Sequence, residues 1–333
     1  MAETTADDPD RGALGAGAGT LAYIAMLAGF FTIGPATQVR SIVSGLWISE
    51  ALAIALPAIF ALRIANVRVA PYLGLRAPTL RGLGVAVLAG IANQPIVSLL
   101  TWAAHLVLPQ DWVEDFDSKQ RMLEMIFSTQ AVPFLATVTI AAPLGEELFF
   151  RGFALPAFRR SMGTLAAAIV TGAMFSIIHL DRVGFVGLWE IGVLLALLRV
   201  ATGSLWTSIV CHAVNNGIAG IAFLQGWEDP KSPPGAWLLV LGAVLLVAGI
   251  FLAVRVLRGP ARFATDVPED PSIPAGAYRF RSPVLFAVWL GAVLIAVGQL
   301  LNVVVLPMTG WIALCAVAAA TILPFGDREA SRG

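Results

Sequence analysis

PLGEELFFRGF (143–153) places two adjacent carboxylates and a guanidinium, Glu146, Glu147 and Arg151, inside a run of apolar sequence. Whether that run is a soluble core or a membrane span decides the fold, because the cost of buried charge depends on the medium around it. The rest of the chain argues for a membrane. Its 333 residues are 58% apolar and 13% charged, where soluble domains run at about 45–50% and about 25%. The mean hydropathy is +0.83, and the class this indicates is a polytopic membrane protein.

Working outward from 143–153, apolar stretches of roughly 17–25 residues recur near 15–35, 43–63, 83–108, 132–157, 163–180, 184–200, 204–224, 236–257, 283–306 and 309–325. The expected fold is an all-α bundle of about ten transmembrane helices, with eight or nine as alternatives. Lysine and arginine accumulate in cytoplasmic loops. With both termini cytoplasmic, 15 of the 21 basic residues fall inside, five (Arg40, Lys119, Arg121, Arg182 and Lys231) fall outside, and Arg151 lies within the membrane.

The remaining segments complete the expected organisation. Residues 1–14 read as a disordered, acidic tail unlike the basic start of a signal peptide. Residues 15–131 hold the first three spans and an amphipathic segment, 110–130, expected at the outer interface. Residues 226–258 contain the eighth span, 259–282 form a proline-rich, charged cytosolic loop, and 283–333 contain two last spans and a tail. The formal net charge of zero gives no indication of a nucleic-acid partner. Cys211 and Cys315 lack the spacing of a disulfide framework or a thiol-rich metal site.

Each charge at a bilayer centre costs about 2.5–3.5 kcal/mol on insertion scales, so Glu146, Glu147 and Arg151 together cost about 7–10 kcal/mol unless they pair. Glu147 and Arg151 stand at i and i+4 with the acid first, the favoured order for an ion pair on one helix face. Glu146 points about 100° away and is left as a proton acceptor. A structural knot of all three charges against other helices is the alternative.

Two further spans carry polar groups at the same spacing. Phe175 and His179 are at i and i+4 in MFSIIHL, and His212 and Asn216 are at i and i+4 in CHAVNNG, where Asn215 competes at i+3. A carboxylate, two imidazoles and an amide are the groups that activate water and stabilise an oxyanion. Counting 1.5 Å per residue from the cytosolic helix ends puts Glu146 and His179 at similar depth, about 20 and 24 Å, and His212 shallower by about 12 Å. The seventh span must therefore be displaced or begin deeper. Most of Glu50, Glu190 and the Asn93–Gln94 pair read as interhelical hydrogen-bond partners; Glu190, between the second and third polar patterns, and Asn215 are the two left open as members of the site.

In this order, EExxxR (Glu146, Glu147, Arg151), FxxxH (Phe175, His179) and HxxxN (His212, Asn216) resemble the three motifs of the CPBP family of intramembrane endopeptidases, which includes the type II CAAX prenyl endopeptidases. The resemblance covers about residues 130–225 and marks 132–225 as the catalytic core. It implies hydrolysis of a peptide bond in a membrane-associated or lipidated protein or peptide at the cell membrane. By motif position, Glu146 would activate water with help from His179, while His212 and Asn216 would bind the oxyanion. Glu147, Arg151 and Phe175 would support the site. Glu146, His179 and His212 also make a His₂Glu set of the kind that binds zinc. Using Glu146 as a ligand would leave only the paired Glu147 as base, so water activated without an obligatory metal is the preferred expectation. A proton-coupled transporter and a catalytically silent scaffold are the competing classes.

Overall fold

The computed structural model describes residues 14–65, 67–227 and 234–258, and among these all regular structure is helical. In chain order the helices are α1 (Ala16–Gln38), α2 (Ile42–Ile64), α3 (Val69–Leu73), α4 (Leu80–Val107), α5 (Gln110–Met162), α6 (Thr164–Ile178), α7 (Phe185–Thr202), α8 (Leu205–Leu224) and α9 (Ala236–Arg258). Each of the eight apolar stretches expected between residues 15 and 257 coincides with one of them. Six (α1, α2, α4, α5, α7 and α8) are long and apolar enough to cross a membrane, and α6 and Ala236–Leu252 are apolar but shorter. This is the pattern of a multi-pass membrane protein. The expected tail, the cytosolic loop 259–282, the spans 283–306 and 309–325 and the chain termini lie outside the described residues.

The sequence reading separates the amphipathic segment 110–130 from the fourth span, whereas the structure joins them in one 53-residue helix, α5. Gln130 leaves helical geometry (φ −137°, ψ 38°) three residues before Pro133. Proline has no N–H and its ring crowds the carbonyl of the residue four before it, which kinks the helix without ending it. The first half of α5 is pinned to the turn after α6. Lys119 donates to the Leu180 carbonyl, and Arg182 pairs with Asp115 at 3.4 Å and lies over the Trp112 ring.

Three stretches widen into π-helical turns: Ser49–Ala55 in α2, and Thr137–Ala141 and Leu148–Ala154 in α5. Each runs into a proline two residues on, at Pro57, Pro143 and Pro156. The missing proline N–H removes one i→i−4 bond, and the backbone upstream loosens by one residue to bond at i→i−5. Two such turns bracket Glu146 and Glu147.

The second half of α5 forms the centre of the bundle, packed by α1, α2, α6 and α8. Phe149, Phe150 and Phe153 are fully buried. Phe149 and Phe150 meet edge to face, 5.1 Å between centroids, and both reach Tyr23 of α1. The Tyr23 hydroxyl donates to the Met174 carbonyl at 3.0 Å, tying α1 to α6. Outward faces carry exposed Leu88, Ile91, Val244 and Val247, which suits contact with acyl chains.

Helices α6 and α7 touch backbone to backbone. A Cβ on Gly192 would stand 2.7 Å from Gly172 Cα, so only glycine permits this crossing. Gly192→Ala is expected to cost about 1–3 kcal/mol, read as a lower apparent melting temperature in detergent. Gly84→Ala, which enters open space, should leave melting unchanged or raise it.

Candidate active site

Glu147 is the hub of the buried polar cluster. Its Oε1 accepts from Arg151 Nη1 at 2.6 Å, the i,i+4 pair expected from spacing, and from His212 Nδ1 at 3.1 Å. Glu147 and Arg151 are both fully buried. A buried ion pair is tolerated only with good geometry and further hydrogen bonds; Arg151 has some of these, while its Nε and Glu147 Oε2 have no protein partner. Its Nη2 donates to the Gly192 carbonyl at 3.0 Å, and its guanidinium lies 4.5 Å from the Phe175 ring centroid. Phe175 is thus a cation–π partner of Arg151 as well as the wall of the two imidazoles, 4.8 Å from His179 and 5.6 Å from His212 between ring centroids.

Glu146 sits at the focus of two imidazoles. His179 Nε2 is 3.8 Å from its Oε1, and His212 Nε2 is 3.6 Å from its Oε2. Both distances exceed a hydrogen bond, and Oε2 is buried without a protein partner. The imidazoles are oriented from behind. His179 Nδ1 donates to the Phe175 carbonyl at 2.9 Å and His212 Nδ1 to Glu147. In each case an oxygen that only accepts fixes the proton on Nδ1, which turns Nε2 toward Glu146. The His179 side chain, 29% exposed, is the open side of the cluster.

The displacement that helix depth requires of α8 is present. The helix begins at Leu205, where the sequence reading starts it, yet His212 reaches both glutamates. One turn further on, Asn216 Nδ2 donates to the Val138 carbonyl at 2.9 Å, inside the first π-helical turn of α5. Asn215 points elsewhere. Its Oδ1 accepts from Gln94 Nε2 at 2.8 Å and Asn93 Nδ2 at 3.3 Å, and Asn93 also bonds Glu190. These four residues join α4, α7 and α8 as the interhelical links expected of Glu190 and of Asn93–Gln94, and Asn215 belongs with them.

Glu50 behaves differently from its expected role as an interhelical hydrogen-bond partner. Only 7% exposed, it has a buried Oε2 without a protein partner, and its turn packs on the α5 segment that carries Glu146. It lies far upstream in a stretch with no other charge, so no spacing rule links it to 143–153.

Among the described residues no three His, Cys, Asp or Glu side chains converge as a metal-binding group. The imidazoles address opposite oxygens of Glu146, and Glu147 Oε1 is occupied by Arg151 and His212.

Residues 128–218 match the family model described as type II CAAX prenyl endopeptidase Rce1-like. An Escherichia coli protein described as an uncharacterized 24.3 kDa protein is 30% identical over 142 residues, 40% of this chain and 61% of that protein. The chain thus spans about three fifths of the length of this curated relative. No solved structure matches the chain. The matched stretch, residues 128–218, contains Glu146, Glu147, Arg151, Phe175, His179, His212 and Asn216, and it is similar to the Rce1-like type II CAAX prenyl endopeptidase domain.

Proposed function

We propose that the protein is an intramembrane endopeptidase that cleaves a lipidated or otherwise membrane-associated protein or peptide by glutamate-activated water, at the cell membrane. The observation that carries this reading is the division of the two glutamates. Arg151 and His212 occupy Glu147, while Glu146 faces two imidazoles with no hydrogen bond of its own.

In the proposed reaction a water between Glu146 and His179 attacks the scissile carbonyl and passes a proton to Glu146. Contacts of 3.6 and 3.8 Å tighten once substrate and water enter. Glu147, held by Arg151, anchors His212 through Nδ1 and aims its Nε2 at the place where the oxyanion forms. Asn216 has a second amide hydrogen beyond the one given to Val138, and this is the other oxyanion donor. Glu146 returns its proton to the departing amine. No step requires a metal. The family match supports a CAAX-type substrate, a protein with a prenylated cysteine three residues before its C-terminal residue.

Removing the base tests this directly. Glu146→Gln should lower cleavage of a farnesylated CAAX peptide by about 10²–10⁴-fold, the range for general-base catalysis, with unchanged melting. Cleavage surviving in Glu146→Ala would refute the mechanism. Comparing terminal peptides of membrane proteomes from cells carrying wild type or Glu146→Ala would identify natural substrates.

Activity should persist in chelator, and elemental analysis of purified active protein should find less than one zinc per chain. One essential zinc per chain would overturn the metal-free route.

The Glu147–Arg151 pair predicts a separable effect. Arg151→Met strands a buried carboxylate and should cost about 3–5 kcal/mol. Adding Glu147→Gln should recover most of the apparent melting temperature but not the activity, because His212 then lacks its anionic anchor.

A further inference from the structure

We propose that Glu50 is a further catalytic residue, a second carboxylate that holds the attacking water together with Glu146. This rests on the endopeptidase reading above. Glu50 lies in the π-helical turn Ser49–Ala55 of α2, outside the stretch that carries the family match, and that turn packs on the α5 segment Ala142–Glu147.

The approach is close and depends on a glycine. A Cβ on Gly145 would stand 2.5 Å from Glu50 Oε2, 2.9 Å from its backbone oxygen and 3.0 Å from its Cβ. The absent side chain at 145 therefore makes the space into which Glu50 reaches, at the residue that precedes Glu146. Both glutamates are more than nine-tenths buried, and the Oε2 atom of each has no protein partner. A buried polar atom without a hydrogen bond is costly, and Glu50 and Glu146 each carry one, as does Glu147 on the same α5 segment.

A water meets both needs. Beside His179, it donates one hydrogen to Glu146 and hydrogen-bonds Glu50, keeping a lone pair free for the substrate carbonyl. On attack its oxygen bonds to the carbonyl carbon and one hydrogen passes to Glu146, while the other stays on the new hydroxyl, still hydrogen-bonded to Glu50. The C–N bond then breaks as Glu146 gives its proton to the amine nitrogen. The products are a carboxylic acid and an amine, and both glutamates return to their starting state.

The test measures cleavage of a fluorogenic farnesylated CAAX peptide by full-length protein in liposomes, with rates expressed per folded molecule. Glu50→Gln keeps the shape and one acceptor, and Glu50→Leu removes both acceptors. The expected result is a kcat lower by about 10-fold in Glu50→Gln and about 100-fold or more in Glu50→Leu, with KM unchanged. Apparent melting temperatures should match or exceed wild type, since a buried carboxylate with no protein hydrogen bond to its Oε2 has gone. A packing role predicts the opposite, lower melting with an unchanged kcat per folded molecule, and that result overturns the proposal, as does a change confined to KM. Glu146→Ala run in parallel separates the two claims. Full activity in Glu50→Leu with none in Glu146→Ala defeats Glu50 alone, whereas activity in Glu146→Ala, or none in wild type, defeats the endopeptidase reading beneath it.

Discussion

A fully buried arginine in an apolar bundle is the constraint from which the rest of the site follows. Arg151 is fully buried from bulk solvent, so its charge must be balanced inside the bundle. The Glu147 carboxylate, the Gly192 carbonyl and the Phe175 ring surround it. Those three partners come from α5, α7 and α6, so satisfying one guanidinium fixes three helices relative to each other. The Gly172–Gly192 crossing belongs to the same requirement, because only a backbone unshielded by side chains brings the Gly192 carbonyl within reach. Charge burial of this kind contributes little net stability, since desolvation offsets most of the Coulomb attraction. Its effect is to make one arrangement of the helices much better than its neighbours.

That arrangement also sorts the chemistry. One oxygen of Glu147 serves both Arg151 and His212, so the ion pair acts as scaffold and as the orienting carboxylate of an imidazole. Glu146, one residue earlier, is thereby kept free of a countercharge. Adjacent residues on a helix differ by about 100° in direction, which is enough to give two identical side chains different environments and different work. The π-helical turns on either side of the pair widen the backbone around it. One of them supplies the Val138 carbonyl that receives Asn216.

Much of this is legible in the sequence. Helical spacing alone separates Glu147–Arg151 from Glu146, and hydropathy locates every described long helix, because apolar run length and i,i+4 geometry are local properties. The two motif histidines are recognisable by the same rule, although their convergence is not. Segment 110–130 shows where local reading stops. Its polarity marks it as a separate interfacial piece, yet Pro133 bends α5 without terminating it, since neighbouring contacts hold the helix past the lost hydrogen bond. The prolines that follow each π-helical turn are visible in the sequence as well, but proline alone does not say whether a helix will kink, stop or widen.

What the sequence by itself determined was the class of molecule and the division of labour within PLGEELFFRGF, because both depend on composition and on rotation along one helix. Only the tertiary structure decided which side chains from other helices meet there. It set α8 at the depth that lets His212 touch both glutamates, turned Asn215 to α4 and Asn216 to α5, and brought Glu50 from α2 against Gly145. The physical reason is that the side-chain partners of a buried charge are chosen by helix crossing and close backbone approach, neither of which leaves a periodic trace in the chain.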